Sequence, residues 1–178
     1  MIARYNGDDE SACAQQASLL QHAQKHSVQL FLTWAERYAN PACTEGLQGL
    51  GLIKDILITL GADDVDAAWF ERARSGAAGW CAPEILRVRG DALLRQGAIH
   101  AAENLLLEAL DLAHQQGALA WELRCATSLA RLWQVEGRHL AAAELLSLIY
   151  GRFTEGFATR DLVHARSLLD ELQDKRPA

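Results

Sequence analysis

Residues 83–157 repeat one pattern twice. The stretch PEILRVRGDALLRQGAIHAAENLLLEALDLAHQQGA is followed by ELRCATSLARLWQVEGRHLAAAELLSLIYGRFTEGF. Gly97 matches Gly137, Ala102 matches Ala142, Leu93 matches Trp133 and Leu106 matches Leu146, each pair 40 positions apart. A fixed period of this length marks a helical repeat array, and each unit reads as one helix, a glycine turn and a second helix. Such a pair cannot bury both apolar faces by itself, so it stacks on its neighbours. The expected fold is therefore all-α, a solenoid of helical hairpins, and its shape suggests a protein built to hold something.

Composition agrees with helices. Half of the 178 residues are hydrophobic, Ala and Leu dominate, and there are only 3 prolines. Packed helices suit that mixture better than a sheet does. The net charge of −6 sets up a field that repels nucleic acid and anionic membrane, so neither is expected as a partner. No 18-residue apolar stretch is present, and the first residues lack the basic-then-apolar order of a signal peptide, which points to a cytoplasmic protein. Cys13, Cys43, Cys81 and Cys125 form no C-x-x-C pair. Zinc and redox motifs need close pairs, so these read as reduced, buried thiols acting as small hydrophobes.

Along the chain, residues 1–10 read as a flexible N-terminus and 11–80 as irregular helical repeats. Two regular helix–turn–helix repeats follow over 81–157, and a capping helix over 158–175 closes the array. In the irregular part, Ala14, Ala17, Leu19 and Leu20 give one helical stripe, and Leu30, Trp34 and Tyr38 give a second that Pro41 ends. A third helix spans 44–60 although Gly46, Gly49 and Gly51 weaken it. Gly61 stops it, and Asp63, Asp64 and Asp66 begin the next helix, their carboxylates complementing its exposed N–H groups. In the regular part the helices run to about Gln96, Gln116, Glu136 and Thr154, with turns at Gly97, Gly117 and Gly137. Gly156 serves as a left-handed cap clasped by Phe153 and Phe157, and Thr159 caps the last helix with Asp161 in its first turn.

The register of the repeats resembles the tetratricopeptide repeat. Leu86, Gly90, Leu93, Gly97, Ala102, Leu106 and Ala109 fall where that family has large, small, large, turn, small, large and small residues. Ala126, Ala130, Trp133, Gly137, Ala142, Leu146 and Ile149 follow in the second unit, with Ala126 smaller and Ile149 larger than the pattern. The stretches PEILRVRGDALL, AENLLLEALDLAHQQGALAWELRCATSLARLW and YGRFTEGFATRDLVHARSLLDEL look like the C-terminal tetratricopeptide-like region of large bacterial signal-transduction ATPases, linked to cyclase domains or winged-helix regulators. The likeness implies a regulatory sensor tail. No Walker motif, cyclase domain or winged helix stands in this sequence, so neither ATPase activity nor DNA binding carries over. Relative to regular repeats, one helix is lacking around Gly61 to Asp64.

In the repeat family the first helix of each unit lines a concave groove. Carried over to this chain, that register points Glu84, Arg87, Asp91, Leu94 and Arg95 inward from one unit and Arg124, Thr127, Arg131, Gln134 and Val135 from the next. Guanidinium forks suit bidentate contact with carboxylates, so the expected partner is a protein or peptide, acidic or presenting its C-terminus. The same residues also have the i,i+3 and i,i+4 spacing of pairs within one helix: Glu84 with Arg87, Arg87 with Asp91, Asp91 with Arg95.

No catalytic residue, cofactor or metal is expected. GLQGLGLIK lacks the order of a phosphate-binding loop, and three aspartates around 63–66 fit no calcium loop. His22 and His26 are one turn apart without a third ligand, and no nucleophile elbow surrounds Ser128. Trp34, Trp69, Trp80, Trp121 and Trp133 are assigned to packing between helices. The expected function is a non-enzymatic interaction or regulatory module. Two alternatives stand beside it: a domain sensing a small molecule, and a fragment that forms homo-oligomers through the glycine-rich segment 46–60.

Overall fold

The computed structural model describes residues 65–174 continuously, together with residues 10, 11, 13–15, 17, 18, 21, 55 and 58. The chain divides into two compact units, Met1–Asp63 and Asp64–Ala178. In the first, all the described residues are helical, and Asp55 and Ile58 are buried. Ala14, Ala17 and Cys13 are exposed, so the expectation of a buried thiol fails at Cys13. The readings placed on Leu19, Leu20, His22, His26, Leu30, Trp34, Tyr38, Pro41, Cys43, segment 46–60, Gly61, Asp63 and Asp64 otherwise lie outside the described residues.

Every regular element of the second unit is a helix: α1 (Ala67–Arg74), α2 (Ala82–Arg95), α3 (Ile99–Gln115), α4 (Leu119–Val135), α5 (His139–Tyr150) and α6 (Arg160–Asp174), with a single 3-10 turn, Gly79–Cys81, before α2. Asp66 caps α1 as its carboxylate accepts the Trp69 N–H at 2.7 Å. This compact unit begins at Asp64, so α1, grouped by sequence with the irregular half, packs on α2. No helix among the described residues is long and apolar enough to cross a membrane.

The turns at Gly97, Gly117 and Gly137 close with the same two backbone bonds. At the first, Ala98 N–H reaches back to Leu93 C=O and Gly97 N–H to Leu94 C=O, both at 3.0 Å, which is the Schellman arrangement of a helix C-terminus. It requires a left-handed residue, and Gly97, Gly117 and Gly137 have φ of 79°, 63° and 79°. The next residue folds into an inverse γ-turn, Ala98 at φ −83°, ψ 61°, so that Ile99 N–H bonds Gly97 C=O at 3.0 Å. That bond satisfies an N–H at the start of the following helix, and Ala98, Ala118 and Arg138 provide no side-chain cap. The short connection then brings consecutive helices side by side.

Alternate helices also meet along one row: α2 packs on α4, and α4 on α6. Where α2 crosses α3, Gly90 leaves room for Leu106, whose Cγ and Cδ2 would lie 2.9 Å from any added Cβ. The expected repeat positions Leu86, Ala102, Leu106, Ala109, Ala126, Ala130, Ala142, Leu146 and Ile149 are all buried. One core of Leu123, Ala130, Leu146, Leu162, Leu169 and Leu172 ties α4, α5 and α6 together. Each fully buried leucine there contributes roughly 1.5–3 kcal/mol.

Two boundaries differ from expectation. α5 ends at Tyr150 rather than near Thr154, because Arg152 N–H and Phe153 N–H turn back to Ile149 and Tyr150 carbonyls, three residues away, and wind the chain out of the helix. Phe153 packs against the core, and Phe157 pairs with Tyr150 at 6.0 Å between ring centres. Gly156 is left-handed at φ 77°, and α6 begins where Val163 N–H bonds Thr159 C=O at 3.0 Å.

Candidate functional site

Glu84, in the first turn of α2, has a fully buried side chain. An isolated carboxylate in that position would be costly, and two guanidinium groups offset the loss of water. Arg87 binds it through two donors, Nε to Oε2 at 2.7 Å and Nη2 to Oε1 at 2.9 Å, and Arg124 of α4 adds Nη1 to Oε1 at 2.7 Å. Both cations are shared onward. Arg87 Nη1 donates to Asp91 Oδ2 at 2.5 Å, and Arg124 Nε donates to Asp161 Oδ2 of α6 at 2.7 Å. Ser128 Oγ bridges the network, 3.3 Å from both Arg87 Nη1 and Asp91 Oδ2. Burial alone would raise the Glu84 carboxyl, but Arg87 and then Arg124 outweigh it and hold it below the usual carboxylate range. Burial also pushes the nearby Cys125 thiol up, and the Glu84 charge adds to that.

The pairs Glu84 with Arg87 and Arg87 with Asp91, allowed by helical spacing, are both formed. Glu84, Asp91 and Asp161 set three negative charges against the two positive charges of Arg87 and Arg124. The cluster keeps one negative charge in excess and ties α2, α4 and α6 together. Arg87 and Arg124 are thus bound to carboxylates of the scaffold. Aligning the repeats contains the signal, since Glu84 and Arg124 stand at the same register 40 positions apart with opposite charge.

The remaining expected site residues are divided. Thr127 Oγ1 donates to Leu123 C=O at 2.7 Å within α4 and is locally satisfied. Arg95 is exposed in the last turn of α2. Arg131 and Gln134 come together further along α4, where they line an open cleft of about 340 Å³ with Val135, His164 and Glu171. Gln134 Nε2 lies 3.4 Å from Glu171 Oε2, and Arg131 is exposed and forms no ion pair among the described residues. Val135 beside it is 84% exposed.

Several groups escaped the sequence reading. Trp80, half exposed, stacks on Trp121 with 6.2 Å between ring centres, and Arg124 lies 5.1 Å above the Trp121 ring. Trp133 packs in the core but donates its Nε1–H to Glu103 at 2.6 Å, and Arg138 caps both groups. Hydrogen bonds from Arg138 and Trp133 hold the Glu103 carboxyl below its ordinary range. Buried Glu122 pairs with Arg152, which follows α5, and lies 3.4 Å from His114 Nδ1. These contacts join residues 30 and 8 positions apart, a separation set by how α4 packs on α3 and α5 and not by any motif. Among the described residues no group of three His, Cys, Asp or Glu side chains is placed to hold a metal. In comparisons with known proteins, the chain matches no family model, no curated protein and no solved structure at a significant level.

Proposed function

We propose that this chain is a non-enzymatic interaction module, a tetratricopeptide-like solenoid of helical hairpins whose row α2, α4, α6 presents a preformed face to a protein or peptide partner. The reading extends the resemblance to the regulatory tails of bacterial signalling ATPases, with work in the cytoplasm and control of a partner by binding. The observation that carries it is Arg131: on a face where Arg87 and Arg124 are bound to carboxylates of the scaffold, this guanidinium stays exposed in an open cleft. Val135 and Leu168 offer apolar contact beside it, and His164 and Gln134 offer hydrogen bonds. A partner carboxylate, from an acidic side chain or a C-terminus, is the group that suits it.

Fluorescence anisotropy with a library of short peptides tests this reading. Peptides with a free C-terminal carboxylate are expected to bind better than their amidated forms, and Arg131→Glu is expected to abolish the difference while helical circular dichroism stays unchanged. Equal binding of both forms to the unaltered chain, or none at all, would contradict it.

A further inference from the structure

A second cleft lies between α3 and α5, away from Arg131. It has a volume of about 660 Å³, within the range of small-ligand sites. Leu107, Leu110, Leu148 and Ile149 give it an apolar wall. Leu107 and Leu148 are 42% and 72% exposed, although large aliphatic side chains gain free energy when covered. The polar end is acidic. Glu122 from the first turn of α4 and Asp111 from α3 carry two negative charges against the single positive charge of Arg152, with His114 as the remaining polar group.

Glu122 is the unusual member. Its side chain is only 3% exposed, and Oε2 takes both His114 and Arg152. Oε1 is buried and has no hydrogen-bond partner. A buried carboxylate oxygen left without a donor keeps the cost of its lost hydration. The two side chains bound to Oε2 are at the surface, His114 at 70% and Arg152 at 43% exposure.

From an acidic end, an orphaned carboxylate oxygen and an apolar wall in one cleft, we infer that this chain binds a small primary ammonium compound with an apolar body. The ammonium donates to Glu122 Oε1 and balances the excess negative charge, while the hydrocarbon covers Leu107 and Leu148. A quaternary ammonium lacks the N–H, and a neutral alcohol lacks the charge. This site is independent of the partner face at Arg131, so either can fail without the other.

The test is a titration of the full chain with phenethylammonium at neutral pH, followed by NMR shifts and calorimetry. 2-Phenylethanol and the trimethylated cation serve as matched controls. Saturable binding that perturbs Leu107, Leu148 and His114 is expected, with both controls weaker by about tenfold or more, as charge-assisted hydrogen bonds are the strong ones. Glu122→Gln is expected to reduce the ammonium to the level of the alcohol. Because loss of a buried charge can unsettle folding, Leu148→Ala provides a second reading at an exposed position, where binding is expected to weaken severalfold with helical content unchanged. Equal binding of ammonium and alcohol, binding indifferent to Leu148→Ala, or no binding at millimolar concentration would overturn the inference.

Discussion

At the scale of single residues, Glu84 decides most. Replacing it with Gln leaves Arg87 and Arg124 buried against an amide, and breaking a buried pair on one side costs about 3–5 kcal/mol. Urea denaturation of Glu84→Gln is expected to show a loss of that order, whereas a loss under about 1 kcal/mol is what an exposed surface pair would give. The carboxyl is depressed in the folded state, so the unfolded chain binds more protons in acid. Its stabilisation is therefore complete at neutral pH and is lost as pH falls from the ordinary value of 4.5 toward the lower folded one. The acid limb of a stability–pH curve is expected to be shallower in Glu84→Gln than in the unaltered chain. Cys125 gives an independent check beside the same network. Burial raises its thiol and denies access, so peptide mapping after thiol labelling is expected to find Cys125 unmodified until the unit unfolds and Cys13 modified in the native chain. These details were half legible. Helical spacing alone pairs Glu84, Arg87 and Asp91, but the tie from Glu84 to Arg124 needs the repeats aligned and the charges compared across them. Asp161 could be read only as a helix-start carboxylate, because its second role depends on where α6 packs.

At the scale of elements, the glycine turns are where sequence and structure meet most directly. Gly117 carries φ 63° and an added Cβ there would touch nothing within 4 Å, so any cost of substitution is conformational. Gly117→Ala is expected to lower stability by about 1–2 kcal/mol, the cost of a left-handed residue with a Cβ, and thermal unfolding measures it. Gly90 is a different glycine, needed for the approach of Leu106 and not for its dihedral angles. Both could be read in advance, since one ends an amphipathic run and the other occupies a small position of the repeat. The end of α5 could not. The run LLSLIYGRF keeps a helical pattern past Tyr150, and only the turn bonds from Arg152 and Phe153 stop it. Those bonds also deliver Arg152 to Glu122, so one misplaced boundary hid the second cleft.

At the scale of the whole molecule, α2 to α5 of the second unit follow one another through three glycine turns, and a charged tie runs through α2, α4 and α6. The all-helical class followed from the 40-residue period, because apolar positions repeated at that spacing demand stacked hairpins. The location of a binding surface did not follow, because the same arginines satisfied a groove pattern and an internal ion-pair pattern. The scaffold binds Arg87 and Arg124, and Arg131 is the proposed contact for a partner. Native mass spectrometry of the tagged chain, drawn gently from its own cells beside an Arg131→Glu variant, tests this most directly. A partner at fixed stoichiometry on the unaltered chain, absent from a variant of unchanged fold, is the result predicted. A bare chain in both preparations, or the same partner retained by the variant, would contradict it.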